Sequence, residues 1–428
     1  MTSLQHSDVQ SEPAGDNWAR NYRYGATALL RPRSVDEVRD VVAASPRIRP
    51  LGSRHSFTGL ADSPGVLVSL DRLEVGLVLD EAARTVTVGA GARYGDFVSE
   101  LHGLGWAVHN LASLPHISVA GAVATATHGS GDRNGNLATA VVALELVTAA
   151  GDLLTVRRGD PEFEGHVVSL GALGVVTRVT LAVEPTFQVR QDLYNDLGWD
   201  DLLDNFDAVT GSAYSVSVFT DFHAEVVPTL WLKSRIDEAA PPTSLFGARR
   251  ATVDRHMVAA SSPENVTQQG GVPGPWSDRL AHFKLGFTPS NGDEFQSEYL
   301  IARENAVEAL RAVRGLGDRV APLLLTAEIR TMAADRLWLS GAYGRDTVGI
   351  HFTWRPLPER IHPLLVEIEA LLLPLGARPH WGKVFMAGAD ALAPLYPRLP
   401  EFLALAERLD PGRKFGNAFL ERTVGLGG

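Results

Sequence analysis

Hydrophobic and polar residues alternate along the first 185 residues with two different periods. Four valines recur at helical spacing between residues 35 and 42, and Ser34 with Glu37 forms a capping box ahead of them. Short apolar runs bounded by turn residues are typical of strands, and a glycine turn precedes the last of them. The pattern predicts an α+β domain. Its predicted strands lie at 66–70, 85–88, 140–148, 153–157 and 169–185.

Longer strands separated by helices at 304–314 and 359–372 follow from about residue 187. We predict these strands at 213–219, 229–234, 282–287, 295–303, 323–331 and 348–354. In the last two, polar and apolar side chains alternate, so each strand has a polar and an apolar face. The polar faces carry Thr326, Glu328 and Arg330 in one strand and Gly349, His351 and Thr353 in the other. The apolar faces carry Leu325, Ala327 and Ile329, and Ile350, Phe352 and Trp354.

The apolar faces predict a sheet packed beneath helices, and the polar faces allow two interpretations. Antiparallel sheets often present one face to solvent, which would make these side chains ordinary surface groups. A functional site is the alternative, because Glu, Arg, His and Thr are concentrated on only two strands. The residues alone leave both interpretations open.

Residues 101–131 contain no Asp, Glu, Lys or Arg. Pro115 and four histidines exclude a membrane span, because they would leave polar groups in hydrocarbon. The segment 110–131 is a thread of small residues broken by glycines. Such a thread lets the backbone approach a flat or phosphate-bearing ligand, with its N–H groups directed at the anion. A tightly packed Ala/Gly core segment is the alternative.

Several familiar motifs are excluded by their spacing. The glycines at 89–95 imitate a dinucleotide-binding turn, but Tyr94 stands where the third glycine is required, so we predict a plain strand-to-helix turn. The segment 376–383 imitates a phosphate loop but has one residue too many, and Val384 stands where Ser or Thr must hold magnesium. Neither a metal-binding nor a serine-hydrolase motif is present.

Composition narrows the class of protein. The 428 residues are 45% hydrophobic, enough for two globular domains. A net charge of −11 argues against nucleic acid or an anionic membrane as the main partner. The chain has no cysteine, which excludes disulfides, thiolate metal sites and cysteine nucleophiles. The polar N-terminus does not resemble a secretion signal, so we expect a cytoplasmic protein, and we expect it to be a monomer.

Seven segments in order along the chain together resemble the FAD-dependent alditol oxidases (xylitol or sorbitol oxidases) of the vanillyl-alcohol oxidase family. They are LGSRHSF, ASLPHISVAGAVATATHGSG, SLGALGVVT, EIRT, HFTW, PHWGKVF and DPGRKFGNAF. The resemblance implies an α+β fold in which a FAD-binding domain of two α+β subdomains, residues 1–185, precedes a substrate domain. That second domain, 186–375, would be an antiparallel sheet flanked by helices, and residues 376–428 would return to the flavin.

The resemblance also assigns residues to the cofactor. His55 matches the histidine that bonds covalently to the flavin, and Arg54 stands where more distant members often carry glycine. The other residues expected to contact FAD are Gly52, Ser53, Ser56, Ser113, Ser118, Gly121, Thr125, Ala126, Thr127, His128, Val176 and His380.

The polyol site is implied in the same way. Ser113, Glu328, Arg330, Thr353 and Lys383 would line it, with His351 beside them. A polyol needs donors and acceptors at fixed intervals, and Arg330 and Lys383 could stabilise developing negative charge. Glu328 could orient hydroxyls or accept a proton, although the sequence does not identify the base.

The implied activity is oxidation of the terminal hydroxyl of a polyol by hydride transfer to covalently bound FAD, with O2 reduced to hydrogen peroxide. An aldonolactone oxidase or dehydrogenase on the same fold is the nearest alternative. A flavin-bearing carrier protein without turnover is a different class, and the combination of Glu328, Arg330 and Lys383 weighs against it.

Overall fold

The computed structural model describes residues 9–73, 75–258, 261–287 and 294–427. The first region is a four-stranded sheet in the order β1-β2-β4-β3 with one helix. None of the described helices is long and apolar enough to cross a bilayer. The elements of the first region are β1 (Gln10–Glu12), β2 (Ala28–Arg31), α1 (Val35–Ala44), β3 (Ile48–Leu51) and β4 (Val66–Ser69).

Helix α1 forms where the valine pattern predicts it. The Ser34 hydroxyl accepts a hydrogen bond from the N–H of Glu37 at 3.2 Å, and three of the four valines are buried. The capping box is not reciprocal, however, because the Glu37 carboxylate accepts from the N–H of Arg33 rather than from that of Ser34.

A second region holds a five-stranded sheet in the order β5-β6-β10-β8-β9. Its neighbouring strands are antiparallel, so it is not a doubly wound parallel sheet. Helix α2 follows β6 through the plain turn that the sequence predicts. The strands predicted at 140–148 and 153–157 are confirmed, and they pair antiparallel with each other. The elements are β5 (Val78–Asp80), β6 (Thr85–Gly89), α2 (Tyr94–Gly103), β7 (Trp106–Ala107), α3 (Val119–Ala124), β8 (Val141–Val147), β9 (Leu153–Arg157), α4 (Phe163–Val167), β10 (Val175–Ala182) and β11 (Glu184–Pro185).

A ten-stranded sheet dominates the rest of the chain, in the order β15-β16-β12-β14-β13-β19-β20-β18-β21, with β17 paired to β12. Its strands are β12 (Gln188–Gly198), β13 (Ser215–Thr220), β14 (Val226–Arg235), β15 (Ser244–Leu245), β16 (Ala248–Arg250), β17 (Gly274–Pro275), β18 (Phe295–Ala302), β19 (Leu324–Met332), β20 (Thr347–Trp354) and β21 (Arg378–Pro379). The helices are α5 (Trp199–Asp204), α6 (Phe206–Thr210), α7 (Trp276–Arg279), α8 (Ala306–Arg314), α9 (Gly317–Val320), α10 (Pro358–Leu372), α11 (Ala389–Leu392), α12 (Leu399–Leu409) and α13 (Ala418–Val424).

The apolar faces of β19 and β20 belong to one large core together with α8 and α10, as predicted. Leu325 departs from the predicted alternation. A register shift between Leu324 and Thr326 forms a bulge, and Leu325 contributes to the wall of a cavity instead.

The strand predicted at 282–287 is wrong. The N–H groups of His282 and Phe283 both donate to the carbonyl of Ser113, at 3.0 and 3.1 Å, so they cannot form a ladder with a neighbouring strand. The segment makes one isolated bridge, between Phe283 and Val266. The long strand β12 was not predicted at all.

The C-terminal residues pack against the first sheet. The Asn417 side chain donates to the carbonyls of Gly59, Leu60 and Asp62, at 2.7–3.1 Å. Further along the same contact, the N–H of Phe57 donates to the carbonyl of Gly382 at 2.9 Å. These bonds hold the loop at 52–56 beside the segment at 380–383.

Candidate active site

One cavity of about 540 Å³ lies between the loop at 52–56, the thread at 112–128 and the polar face of the large sheet. Of the described residues expected at the site, only Ala126 does not line the cavity. The N–H of Ala126 donates to the carbonyl of Val123 and closes the turn after α3. The expected residues that line the cavity are Gly52, Ser53, Arg54, His55, Ser56, Ser113, Ser118, Gly121, Thr125, Thr127, His128, Val176, Glu328, Arg330, His351, Thr353, His380 and Lys383.

The structure bears on both open questions about these segments. Glu328 and Arg330 are 4% and 5% exposed, so the polar face of the sheet is not a solvated surface. One part of the thread is a packed core segment, and another part borders the cavity. Val119, Ala122 and Val123 pack into the core, while Ser118 and Gly121 border the cavity.

Two glycines keep the loop at 52–56 close to the start of α3. A Cβ atom on Gly52 would lie 2.5 Å from the Ser118 hydroxyl, and one on Gly121 would lie 2.7 Å from it. The same hydroxyl accepts from the N–H of Ser53 at 3.3 Å, and the Ser53 hydroxyl accepts from the N–H of Ser118 at 3.0 Å. This pair of bonds fixes the two segments side by side.

Arg54 has a left-handed backbone, with φ of 64°. Among the described residues, no acceptor takes the N–H groups of Arg54, His55 and Ser56. Successive free amides next to a left-handed residue form a concavity that binds anionic or electron-rich groups, so this wall fits a phosphate-bearing flavin cofactor. The Arg54 guanidinium is engaged elsewhere, because it donates to the carbonyls of Ala14 and Asp16 at 2.5 and 3.0 Å.

His55 faces the cavity beneath an aromatic ring. Its ring centroid lies 5.0 Å from that of Trp18. Burial, together with the nearby His116 and Arg93, lowers the pKa of His55 to about 4. The imidazole is therefore neutral near pH 7 and keeps one ring nitrogen lone pair available for bonding.

The hydroxyls at the end of α3 form a short chain along the cavity wall. Thr125 donates to the carbonyl of Gly121 at 3.0 Å, and its oxygen lies 2.9 Å from the hydroxyl of Thr127. Nδ1 of His128 lies 2.9 Å from the carbonyl of Gly129, which fixes the ring.

Glu298 on β18 lies at the centre of the polar end of the cavity, and the sequence analysis did not identify it. Its carboxylate accepts from Arg330 at 2.8 Å and from Lys383 at 2.6 Å. It lies opposite His351 in the strand pair. Burial alone would raise the pKa of Glu298, but the charges of Lys383 and Arg330 hold it well below the ordinary value.

Lys383 and His351 are joined directly. Nζ of Lys383 lies 2.8 Å from Nδ1 of His351, whose Nε2 lies 3.0 Å from the hydroxyl of Thr353. Burial and the Lys383 charge lower the pKa of His351 far below its ordinary value, so the ring is neutral. It therefore accepts from Lys383 and donates to Thr353.

Arg330 contacts both the thread at 112–128 and the acidic residues of the large sheet. Nη1 donates to the hydroxyl of Ser113 at 3.3 Å, and Nε lies 3.6 Å from the carboxylate of Glu328. Burial would lower its pKa, but Glu328 and Glu298 raise it, so the guanidinium stays charged. Burial likewise opposes ionisation of Glu328, yet Arg330 and His282 lower its pKa. The site thus holds fixed charges of both signs away from water.

His282 is the second residue that the sequence analysis missed. Its Nε2 lies 2.8 Å from Oε1 of Glu328. The residue was expected in a strand, and nothing in its neighbourhood along the chain indicates a contact with β19. Glu298 could have been found more easily, because it is an acidic residue inside a correctly predicted strand.

Three groups on the cavity wall approach the geometry of a metal site. The ligand atoms of His128, Glu298 and His380 lie within 4.8 Å of one another. Two observations disfavour an ion there. The carboxylate is already neutralised by Arg330 and Lys383, and Nδ1 of His380 accepts from the N–H of Gly382 at 3.1 Å.

Comparison with known proteins places this site in context. The family model described as FAD binding domain matches residues 26–157, and the one described as D-arabinono-1,4-lactone oxidase matches 288–423. The alditol oxidase of a Streptomyces species is 49% identical over 407 residues, covering 94% of this chain and 97% of that protein. The L-gulono-1,4-lactone dehydrogenase of Mycobacterium tuberculosis is 32% identical, covering 96% and 99%.

Solved structures extend the likeness to the fold. A cholesterol oxidase from B. sterolicum superposes with a TM-score of 0.82 at 17% identity, covering 99% of both chains. A solvent-stable cholesterol oxidase superposes with a TM-score of 0.77, also at 17% identity, covering 96% of this chain and 98% of that one. The expected α+β fold class is thereby confirmed.

Proposed function

Because this chain belongs to the FAD-dependent alditol oxidases of the vanillyl-alcohol oxidase family, we propose that it oxidises the terminal hydroxyl of polyols such as xylitol and sorbitol. The observation that carries the proposal is the continuity of one cavity. It joins a glycine-lined cradle suited to FAD with a buried wall of fixed hydrogen-bonding groups. When bound, FAD would accept a hydride from the substrate carbon and pass the electrons to O2, which gives hydrogen peroxide.

The chain's own residues bind and polarise the polyol. Glu328 and Arg330 stand two apart on β19, so their side chains share one face about 7 Å apart along the strand. In this proposal they hold neighbouring hydroxyls, with Ser113 and Thr353 as further partners. Lys383 and Arg330 place positive charge where the hydroxyl oxygen becomes electron-rich.

The experiment is a hydrogen peroxide assay with the purified holoenzyme. Xylitol, sorbitol, mannitol and glycerol are compared with gulonolactone and galactonolactone at equal concentrations. We expect the polyols to be turned over with the higher kcat/KM. Lactones are included as substrates because the chain matches a lactone oxidase family model and is 32% identical to a lactone dehydrogenase. Turnover of lactones alone would replace the proposal with that activity, and bound flavin without any turnover would support a carrier protein.

Substitutions test whether the polar wall performs the reaction. Arg330→Met, Glu328→Gln and Lys383→Met each remove a charged contact from a dry site. We expect each to lower kcat/KM about 30- to 1000-fold, equivalent to roughly 2–4 kcal/mol of transition-state stabilisation. Arg133→Met, at a side chain 72% exposed and paired with Glu238, is the matched control and should leave turnover unchanged.

Covalent attachment of FAD at His55 is part of the same proposal. It is supported by the neutral imidazole at the cavity wall. Acid precipitation of the yellow protein tests the bond, since covalent flavin stays in the pellet and free flavin stays in solution. The His55→Ala protein should retain flavin without the bond, because the amides and hydroxyls of the cradle remain, and should oxidise polyols poorly.

We also propose the division of the chain into a cofactor domain at 1–185, a substrate domain at 186–375 and a returning segment at 376–428. The change of sheet between β11 and β12 supports the first boundary. Limited proteolysis should cut near these boundaries first. The proposed monomer should have a mass near 46.0 kDa by light scattering.

A further inference from the structure

A buried chain of three ionisable groups leads from the interior of the large sheet to Glu328. Lys233 on β14 is 1% exposed, and its Nζ donates to the carbonyls of Leu280 and Ala281 at 2.6 and 2.7 Å. The same Nζ lies 3.2 Å from Nδ1 of His282. On the far side of the ring, Nε2 lies 2.8 Å from Oε1 of Glu328.

These contacts determine where the imidazole carries its proton. Although burial opposes the shift, Arg330 lowers the pKa of the Glu328 carboxylate, which is therefore ionised and can only accept, so Nε2 of His282 must carry the proton of the ring. The unprotonated Nδ1 of a neutral ring then accepts from Lys233, whose own pKa burial lowers to about 7. Burial lowers the pKa of His282 to about 4, with Glu328 opposing and Lys233 adding to the shift, which keeps the ring neutral.

The ring is also held by its neighbours. The rings of Phe219 and Trp231 contact it edge to face, with centroids 5.8 and 5.2 Å away. The ionisable groups that act on this chain from outside are Arg279, near Lys233, and Arg330 and His351, near Glu328. Nε of Arg330 lies 3.6 Å from the other carboxylate oxygen, Oε2. The Glu328 carboxylate is therefore engaged at Oε1 by a fixed donor, while Oε2 is the oxygen nearer Arg330.

We propose that His282, oriented by Lys233, is a positioning residue that fixes the carboxylate of Glu328 so that Oε2 can accept a hydrogen bond from a substrate hydroxyl. The proposal rests on the proposed function, because the hydroxyl belongs to the polyol. His282 does not exchange a proton with the substrate. It acts through Glu328 by fixing both its orientation and its ionised state.

Two substitutions at His282 separate positioning from packing. His282→Leu fills the space but removes the donor, and kcat/KM for the best polyol should fall about 10- to 100-fold. His282→Gln places an amide N–H near the position of Nε2 and should recover most of that loss. The flavin spectrum and the melting temperature of both proteins are compared with those of the parent. Unchanged values show that the difference in kcat/KM comes from positioning and not from loss of packing. Equal losses in the two variants would overturn the proposal.

A double-mutant cycle tests whether the effect passes through Glu328. In a Glu328→Gln background, His282→Leu should lower kcat/KM by less than about threefold, because the carboxylate it positions is gone. Full additivity of the two losses would show that the histidine acts elsewhere and would overturn the proposal.

A measurement without substrate separates this inference from the proposed function. Histidine labelled at its ring nitrogens gives NMR signals that distinguish the two neutral tautomers, and His282→Gln assigns the signal. The holoenzyme should show the proton on Nε2, and Lys233→Met should alter the signal. A proton on Nδ1 would overturn the inference even if polyols are oxidised. Absence of polyol oxidation with the expected tautomer would refute the proposed function instead.

Discussion

The ammonium group of Lys383 lies 2.6 Å from the carboxylate of Glu298, although 85 positions separate them along the chain. Glu298 is 1% exposed and also accepts from Arg330. Glu298 thus contacts both cations, and together with Glu328, 3.6 Å from Nε of Arg330, it balances their charge inside the protein. Removing one partner of such a cluster leaves uncompensated charge in the interior.

Glu298→Gln is therefore expected to damage activity as well as stability. The amide keeps the shape but leaves Lys383 and Arg330 without their shared anion, which should destabilise the fold by about 3–5 kcal/mol. Burial lowers the pKa of Lys383 and Glu298 opposes that shift, so loss of the carboxylate should lower the pKa further. If protonated Lys383 is required, the basic limb of the kcat/KM profile moves to lower pH.

The pH profile and the melting temperature are measured beside Glu367→Gln. Glu367 belongs to an exposed pair with Arg319, so its loss should change neither quantity appreciably. A Glu298→Gln enzyme with the parent's profile and melting temperature would show that the two cations do not depend on this carboxylate.

Gly52→Ala tests the close approach of the cofactor cradle. The added Cβ would lie 2.5 Å from the Ser118 hydroxyl, which also holds the N–H of Ser53. Displacing Ser118 should destabilise the protein by about 1–3 kcal/mol and reduce its flavin content. Flavin absorbance per protein and melting temperature are the measurements. Gly76→Ala, where a Cβ meets nothing within 4 Å, is the control. Full flavin content in Gly52→Ala would mean that the cradle can widen.

Arg54 offers a separate test of backbone strain. Its φ of 64° lies in the left-handed region, where any residue with a Cβ is disfavoured by roughly 1–2 kcal/mol. Arg54→Ala and Arg54→Gly both lose the bonds to the carbonyls of Ala14 and Asp16. The glycine variant should nevertheless be the more stable of the two by about 1 kcal/mol, measured from denaturant midpoints. Equal midpoints would indicate that the loop changes conformation when the guanidinium is absent.

Local pattern predicted the elements with strong periodicity, but it missed β2, β3 and β12. The capping serine and the spacing of the valines predicted α1. The alternation of polar and apolar residues predicted β19 and β20 and their buried apolar faces. The errors arose where tertiary contacts overrule local preference. The run at 282–287 looks like a strand, but the carbonyl of Ser113 takes its first two N–H groups. The bulge at Leu325 depends on pairing with β20 and has no signature in its own residues.

The sequence predicted those site residues that lie in segments resembling the family's motifs. Glu328, Arg330 and Lys383 fall within such segments, and all three line the cavity. Glu298 was missed because its importance comes from β18 lying beside β20, an adjacency that the order of strands along the chain does not reveal. His282 was missed for a similar reason, since its partner is 46 positions away.

Asp335 provides a pH test that does not involve the cofactor cavity. Its carboxylate accepts from the side chain of Asn136 at 2.7 Å, from the hydroxyl of Ser340 at 2.5 Å and from the N–H of Leu337 at 2.8 Å. Burial raises its pKa from 3.8 to about 6, and these hydrogen bonds offset only part of the shift. The folded protein therefore binds this proton more tightly than the unfolded chain does.

Stability should consequently fall as the pH rises through this interval. Below about pH 4 the group is protonated in both states and imposes no charge penalty, whereas above about pH 6 the folded protein holds a buried anion. The shift corresponds to about 2–3 kcal/mol. Asp335→Asn removes the titration, so the melting temperature of the parent relative to this variant should decline between those pH values. Asp204→Asn, at an exposed aspartate, controls for general pH effects. A constant difference between the parent and Asp335→Asn would mean that the three donors compensate for burial completely.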